Sequence, residues 1–163
     1  MVYDIEKWIF ERLSVNLPEF NNLPACPFAK EAWTKNKVLV KQLKNKDNFV
    51  VEIKHFSFNW PRNKEVIILG CMPDIVTSKE LSSIIDTTSS LLNSKRLIAL
   101  EDHPDEIEQV GNYHLNQGTY ALIFLQEIDR LNKARQLLEK KNYYKNWSTE
   151  YYADVVKCTD IKT

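Results

Sequence analysis

The sequence of 163 residues contains only three glycines, which excludes several familiar kinds of functional site. Glycine-rich phosphate loops and the nucleophile turn of α/β-hydrolases need glycine at fixed positions, because the backbone there adopts shapes or close approaches that other residues hinder. Neither motif is present. We therefore do not expect nucleotide-dependent chemistry of the phosphate-loop type.

The chain also lacks a net charge and a long hydrophobic run. Its 22 Lys and Arg residues balance 22 Asp and Glu residues, so no global charge draws it to nucleic acid or to an anionic membrane. The longest apolar runs, such as residues 66–69, are far shorter than the ~20 residues that span a bilayer. The N-terminal segment is charged and amphipathic and has no signal-peptide core. We expect a cytoplasmic protein without a membrane or nucleic-acid partner.

Cysteine is scarce as well, and its spacing does not suggest a disulfide framework. The three cysteines, Cys26, Cys71 and Cys158, are odd in number and widely spaced. Such a set in a chain without an export signal is typical of reduced thiols. We expect all three to be free.

Length and composition predict one α/β domain covering residues 1–163. Hydrophobic periodicity predicts helices and strands in alternation, whereas residues 49–60 match both periods and are assigned with only a slight preference to helix. The predicted helices cover about residues 3–14, 26–35, 77–93 and 120–141. The predicted strands cover residues 38–43, 65–69 and 96–100.

A strand, a helix and a second strand between residues 65 and 100 form a predicted βαβ unit. Thr77 or Ser78 caps its helix, with Glu80 in the first turn. The two strands should lie parallel with a right-handed crossover, within a small, mainly parallel sheet covered by helices. Cys71 and His103 then follow strand ends at the same edge of the sheet, where open α/β folds usually bind ligands.

The C-terminal residues 142–163 form an aromatic-rich tail. Tyr143, Trp147 and Tyr151 are four residues apart, with Tyr144 and Tyr152 beside them. This spacing favours a helix that packs either on the core or on a second subunit. A homodimer is therefore one of the two alternatives.

The segment Pro24-Ala25-Cys26-Pro27 places a thiol directly before a proline that suits the first position of a helix. The unpaired N–H groups and positive dipole end of a helix favour thiolate over thiol. We expect Cys26 to act as a thiolate or as a ligand. The simpler interpretation is a small buried residue that packs at a tight corner.

An acidic segment with one histidine follows the strand at 96–100 and opens a long polar loop over residues 101–118. The catalytic hypothesis assigns Cys26 as nucleophile and His103 as base. It assigns Glu101 and Asp102 as carboxylates that orient the imidazole, and Asn116 as an amide hydrogen-bonding group. In the alternative, His103 caps a helix or orders its loop.

A metal hypothesis uses some of the same residues. Cys26, His103 and His114, with Glu101 or Asp102 and Cys71 as further ligands, offer the sulfur, nitrogen and oxygen donors that zinc or iron accepts. No two of them have the close spacing of a structural zinc site, so the pattern is weak evidence for a metal.

Five lysines near the predicted strand 38–43 form a local basic cluster, beside Trp33 and Phe49. Such a cluster can contact a phosphate backbone. A solvated strand and turn explains it better, because no arginine accompanies the lysines and the whole chain is neutral. The lysines are Lys35, Lys37, Lys41, Lys44 and Lys46.

Three blocks of the chain resemble the DUF1415 family of bacterial proteins in order and rough spacing, over about residues 8–138. They are Cys26-Pro27-Phe28-Ala29, His103-Pro104 after a strand, and Asn116 with Tyr120 before a helix. The family has no established activity, so the resemblance singles out these residues without implying a reaction. Glu101-Asp102 and Gln117-Gly118-Thr119 depart from the family pattern, which argues against a shared substrate.

Two classes of function therefore remain open. One is a small enzyme whose site lies between the Cys26 helix start and the 101–118 loop, with an unidentified substrate. The other is a non-catalytic interaction module, or a homodimer, in which Cys26 and His103 only order loops.

Overall fold

The computed structural model describes residues 1–156, which contain eight strands and six α-helices. The strands are β1 (Asn16–Leu17), β2 (Leu23–Pro24), β3 (Val38–Gln42), β4 (Val66–Cys71), β5 (Leu97–Asp102), β6 (Gln109–Val110), β7 (Tyr113–His114) and β8 (Ala121–Glu127). The helices are α1 (Val2–Trp8), α2 (Ala29–Thr34), α3 (Asp47–Phe58), α4 (Ser78–Ser94), α5 (Ile128–Glu139) and α6 (Thr149–Val155). A π-helical turn, Ile9–Leu13, extends α1, and 3-10 turns form Pro18–Phe20 and Tyr143–Asn146.

The central sheet has four strands in the order β3, β4, β8, β5 and is mixed. Strands β3 and β4 are parallel, whereas β8 runs antiparallel to both of its neighbours, β4 and β5. The prediction of a mainly parallel sheet is therefore wrong. Strand β8 lies between the two strands of the predicted βαβ unit and separates them.

The prediction of one helix over residues 120–141 is also wrong in its first third. Residues 121–127 form β8, and α5 begins only at Ile128. Residues 121–123 are fully buried because β8 is a central strand, covered on both faces. A short apolar run of this kind matches a buried strand and a buried helix equally well.

The predicted strand-helix-strand order over residues 65–100 is confirmed. Thr77 Oγ1 accepts the backbone N–H of Glu80, and the Glu80 carboxylate accepts the backbone N–H of Thr77, which fixes the start of α4. Because β4 and β5 both oppose β8, they point the same way. Cys71 pairs with Ala121 and Asp102 pairs with Leu122, so the two strand ends meet at one edge as expected.

Helices cover both faces of the sheet. Helices α3 and α4 cover one face through a core that includes Phe49, Ile53, Leu69, Leu81 and Ile123. Helices α1 and α2 and the π-helical turn cover the other face, around Ile5, Ile9, Leu13, Ile68 and Leu122. Residues 49–60 are thus helical through Phe58, in agreement with the preferred assignment.

A third, aromatic cluster lies around Phe20 and receives the C-terminal segment. Tyr143 and Trp147 contact the Phe20 ring, with ring centroids 5.3 and 6.1 Å away. Tyr151 packs against Trp147 in a tilted arrangement, with ring centroids 4.8 Å apart. The aromatic tail therefore packs on its own chain as far as it is described. Cys158 and the rest of the predicted tail lie outside the described residues. In residues 1–156, no helix is both long and apolar enough to cross a bilayer.

Candidate functional site

Cys26 precedes α2 but does not begin it. The helix starts at Ala29, with Phe28 as its N-cap, so Pro27 does not occupy the first helical position as predicted. The Cys26 backbone is fixed by an N–H bond to the Leu13 carbonyl at 2.8 Å, and its own carbonyl accepts the Ala29 N–H. The thiol packs among the residues under α1 and α2.

The surroundings of Cys26 favour the thiol over the thiolate. Burial raises the pKa of Cys26, and backbone N–H groups of Phe28 and Ala29 lower it by less. The predicted contact with helix-start N–H groups is present, but desolvation outweighs it. This environment does not favour the thiolate, and the thiolate role of Cys26 stays a prediction.

His103 is 1% exposed and is held by backbone groups at both ring nitrogens. Nδ1 accepts the Asp105 N–H at 3.1 Å, and Nε2 lies 2.9 Å from the Val76 carbonyl oxygen. A nitrogen that accepts an N–H bond carries no proton, so the ring proton is on Nε2 and is donated to Val76. This arrangement ties the loop after β5 to the loop after β4. It matches the loop-ordering alternative for His103.

Glu101 and Asp102 point to opposite faces of the sheet, as neighbours on a strand must. Glu101 lies under α4, where its Oε1 accepts the Ser82 hydroxyl at 2.8 Å. Burial raises the pKa of Glu101, and this hydrogen bond lowers it. Because its hydrogen bond goes to Ser82 and both imidazole nitrogens are bonded to backbone, the predicted role of Glu101 in orienting His103 is wrong.

Asp102 and Asn116 lie in contact, a pairing that the catalytic hypothesis did not specify, and they hold each other and the loop. Asp102 is 5% exposed and accepts the Asn116 side-chain amide at 2.8 Å and the Gln117 backbone N–H at 2.7 Å. The Asn116 carbonyl oxygen accepts the Glu108 N–H at 2.8 Å. Burial raises the pKa of Asp102, against the effect of both hydrogen bonds.

The same loop carries a carboxyl group with a large pKa shift that the sequence reading did not single out. Burial, assisted by the nearby carboxylates of Asp102, Glu101 and Glu106, raises the pKa of Glu108 to about 7. No periodicity or motif marks Glu108. Its environment arises from the fold of the loop, which brings four acidic residues into electrostatic range.

His114 lies on β7, where its backbone carbonyl accepts the Arg12 guanidinium at 2.7 Å while the residue remains exposed. Among residues 1–156, no three His, Cys, Asp or Glu side chains are placed to hold a metal ion. The predicted set of Cys26, His103 and His114 is therefore not assembled. Cys71 is buried against α3 and α4, and burial raises its pKa to about 11.

Strand β3 offers a different candidate site, because it is an outer strand of the sheet. The Lys37 carbonyl accepts N–H groups from the start of β4, and the Leu43 N–H bonds to the Gly70 carbonyl. Backbone groups alternate along a strand, so Leu39 and Lys41 also face β4. The N–H groups of Val38, Val40 and Gln42 then point outward. In the described part of the chain, β4 is the only strand that pairs with β3.

A groove of about 350 Å³ runs beside this free edge. Its walls come from the start of α1, the end of α2, β3 and the turn before β4. Most of its lining is apolar; the lining residues are Val2, Trp33, Asn36, Val38, Leu39, Val40 and Lys64. The sequence signal for this site was present in the lysines that flank Val38-Leu39-Val40, since lysine is typical of edge strands.

Comparison with protein-family models, with characterised proteins and with solved structures finds no match for this chain. The resemblance to the DUF1415 family is not tested by these comparisons and stays a prediction.

Proposed function

We propose that this protein is an interaction module that binds an extended segment of another polypeptide along β3, as a fifth strand of the central sheet. The observation that carries the proposal is the coincidence of a free strand edge with an apolar groove beside it. Strand addition uses both features, because main-chain hydrogen bonds supply affinity and pockets for alternate side chains supply specificity.

The backbone of β3 supports this mode of binding. The outward N–H groups of Val38, Val40 and Gln42 and the Val40 carbonyl have no partner in the described chain, whereas the Val38 carbonyl accepts the Lys64 ammonium at 3.3 Å. An incoming strand would bond to these groups at every second residue. Its side chains on the α1 side would enter the groove lined by Val2 and Trp33.

The contacts of the predicted catalytic residues are also consistent with an interaction module. His103 uses both ring nitrogens to join two loops, and Asp102 and Asn116 use their polar atoms to close the 101–118 loop. These contacts stabilise the scaffold on which β3 is displayed. They leave no nucleophile and base in contact among the predicted catalytic residues.

Hydrogen exchange along β3 tests the proposal. The probes are three seven-residue peptides with a shared centre of Val-Thr-Val-Thr-Val and with Gln, Glu or Lys at both ends. Bound peptide should slow exchange at the outward amides of Val38, Val40 and Gln42. The inward amides of Leu39 and Lys41 already bond to β4 and serve as internal controls.

A variant gives a second, independent readout. Val40→Pro removes one outward N–H and leaves the inward hydrogen bonds in place, which an edge strand tolerates. We expect the variant to keep its amide spectrum outside β3 and to lose peptide binding. If none of the three peptides slows exchange at the outward amides of the unmodified protein, the proposal is wrong, whatever the variant does.

A further inference from the structure

We propose that the segment bound along β3 is acidic, with carboxylates flanking an apolar centre; this inference depends on the proposed strand addition. It rests on the lysines around the free edge, three of which have no carboxylate within ion-pair distance in the described residues. An edge with unneutralised positive charge at both ends selects partners of opposite charge and repels those of like charge.

Lys37 directly precedes β3 and Lys44 is the second residue after it, so one positive charge stands near each end of the free edge. Neither of them has a carboxylate within ion-pair distance in residues 1–156, whereas Lys41 pairs with Glu52 at 2.7 Å. Lys64 adds a third charge at the groove, where its ammonium bonds only to neutral oxygens of Asn36 and Val38. Within residues 1–156, the edge therefore carries three cations that have no carboxylate at ion-pair distance.

The remaining lysines of the cluster form ion pairs with carboxylates, so they do not add unpaired positive charge to the edge. Lys35 pairs with Glu31, and Lys46 pairs with Glu80 at 2.7 Å. The selectivity is thus expected from Lys37, Lys44 and Lys64 and not from the cluster as a whole. This distribution also explains why a neutral chain presents a basic site.

A second copy of the chain is a poorer occupant of the same edge. Antiparallel pairing of β3 with itself about its central residue, Val40, brings Lys37 of one chain close to Lys44 of the other at each end of the pair. Neither lysine has a carboxylate partner in the described residues, and neighbouring like charges across two strands are unfavourable. Lysines on an edge strand also protect against uncontrolled aggregation, and here the same charges leave an acidic strand as the complementary partner.

Fluorescence anisotropy with the three labelled peptides tests the inference. We expect the Glu-ended peptide to bind about fivefold more tightly than the Gln-ended peptide at low salt, since exposed ion pairs each contribute modestly. The Lys-ended peptide should bind most weakly. Added salt should shrink these differences, because the flanking charges are exposed and screened.

Matched lysine variants assign the effect to the edge. The double variant Lys37→Gln with Lys44→Gln should lose most of the preference for the Glu-ended over the Gln-ended peptide, because Lys64 is then the one remaining cation of the three. The control double variant Lys140→Gln with Lys141→Gln changes two exposed lysines at the end of α5 and should keep the preference.

The outcomes separate the inference from the proposed function. Equal binding of all three peptides, with slowed exchange along β3, overturns the acidic preference and leaves strand addition intact. Absence of binding by every peptide overturns both. A labelled single-stranded oligonucleotide that binds through Lys37 and Lys44 more tightly than the Glu-ended peptide would assign the cations to phosphate and would overturn the inference.

Discussion

The side chain of Asn116 donates a hydrogen bond from Nδ2 to Oδ1 of Asp102 at 2.8 Å, although 14 residues separate the two along the chain. Asn116 also accepts the Glu108 N–H, so one amide side chain bonds both to the end of β5 and to the middle of the loop. The two hydrogen bonds pair Oδ1 of Asp102 and the backbone N–H of Glu108 with the Asn116 side chain. The loop after β5 therefore has a defined shape.

Replacement of Asn116 by alanine should destabilise the protein. The change leaves one oxygen of the Asp102 carboxylate and the Glu108 N–H without their side-chain partner, while the Gln117 N–H still bonds to the other carboxylate oxygen. The loss should cost roughly 2–4 kcal/mol in the free energy of unfolding. Urea unfolding measures the loss. Asn112→Ala is the matched control, because Asn112 is exposed in the same loop and should change stability by less than about 0.5 kcal/mol. Equal effects of the two variants would refute the structural role of Asn116.

Glu108 should make the protein less stable as the pH rises through the neutral range. Its pKa is raised from 4.5 to about 7 in the folded state, so the folded state binds a proton that the unfolded state has lost between these values. The free energy of unfolding therefore falls as the pH rises from about 4.5 to about 7. With allowance for partial exposure, the contribution is about 1–3 kcal/mol.

The variant Glu108→Gln isolates this effect. It should be more stable than the unmodified protein at pH 8 and nearly equal to it at pH 4.5, in urea unfolding series across pH. Some pH dependence should remain, because the pKa values of Glu101 and Asp102 are also raised. Glu150→Gln changes an exposed carboxylate and should leave the pH profile unchanged. Parallel profiles for Glu108→Gln and the unmodified protein would contradict the assignment.

The sequence correctly predicted those helices and strands that are determined by signals within a few residues. The Thr77 and Glu80 capping pair fixed the start of α4, and the apolar run of β4 identified a buried strand. The prediction for residues 120–127 was wrong because their spacing matches a helix while their apolar run matches a strand. Only the pairing of this segment with β4 and β5 decides between the two. Sheet order depends on such long-range pairing, so the position of β8 could not be read from one sequence.

Some features of the candidate site also follow from local sequence, whereas others depend on long-range packing. Sequence order correctly placed the segments after β4 and β5 at one edge of the sheet. It could not give the burial of the Cys26 thiol or of His103, because burial depends on α1, α2 and the loops folding over those side chains. The lysines beside Val38-Leu39-Val40 are typical of an edge strand. An inner strand of this length has the same hydrophobic pattern, so only the completed sheet shows that β3 lies at its edge.

The Cys26 thiol should react slowly with iodoacetamide at pH 7.5. Burial raises its pKa, so little thiolate is present, and the packing under α1 and α2 limits access. Mass spectrometry of digested protein resolves its alkylation rate from that of Cys71. Both rates should rise sharply in denaturant, where the thiols recover the reactivity of free cysteine. Rapid alkylation of Cys26 in the folded protein, with a midpoint below that of free cysteine, would restore the thiolate hypothesis.

Removal of the Tyr143 hydroxyl should loosen the corner that holds Cys26. Tyr143 is 3% exposed, and its hydroxyl donates a hydrogen bond to the Ala25 carbonyl, next to the cysteine. Tyr143→Phe keeps the ring packing on Phe20 but leaves that carbonyl unpaired, which should cost about 1–2 kcal/mol in urea unfolding. Alkylation of Cys26 should become several-fold faster, while the alkylation rate of Cys71 stays unchanged.

Tyr3→Phe is the control, since Tyr3 is 72% exposed and its change should affect neither measurement. A Tyr143→Phe variant with unchanged Cys26 reactivity would show that the thiol is protected by packing alone and not by the bond to Ala25.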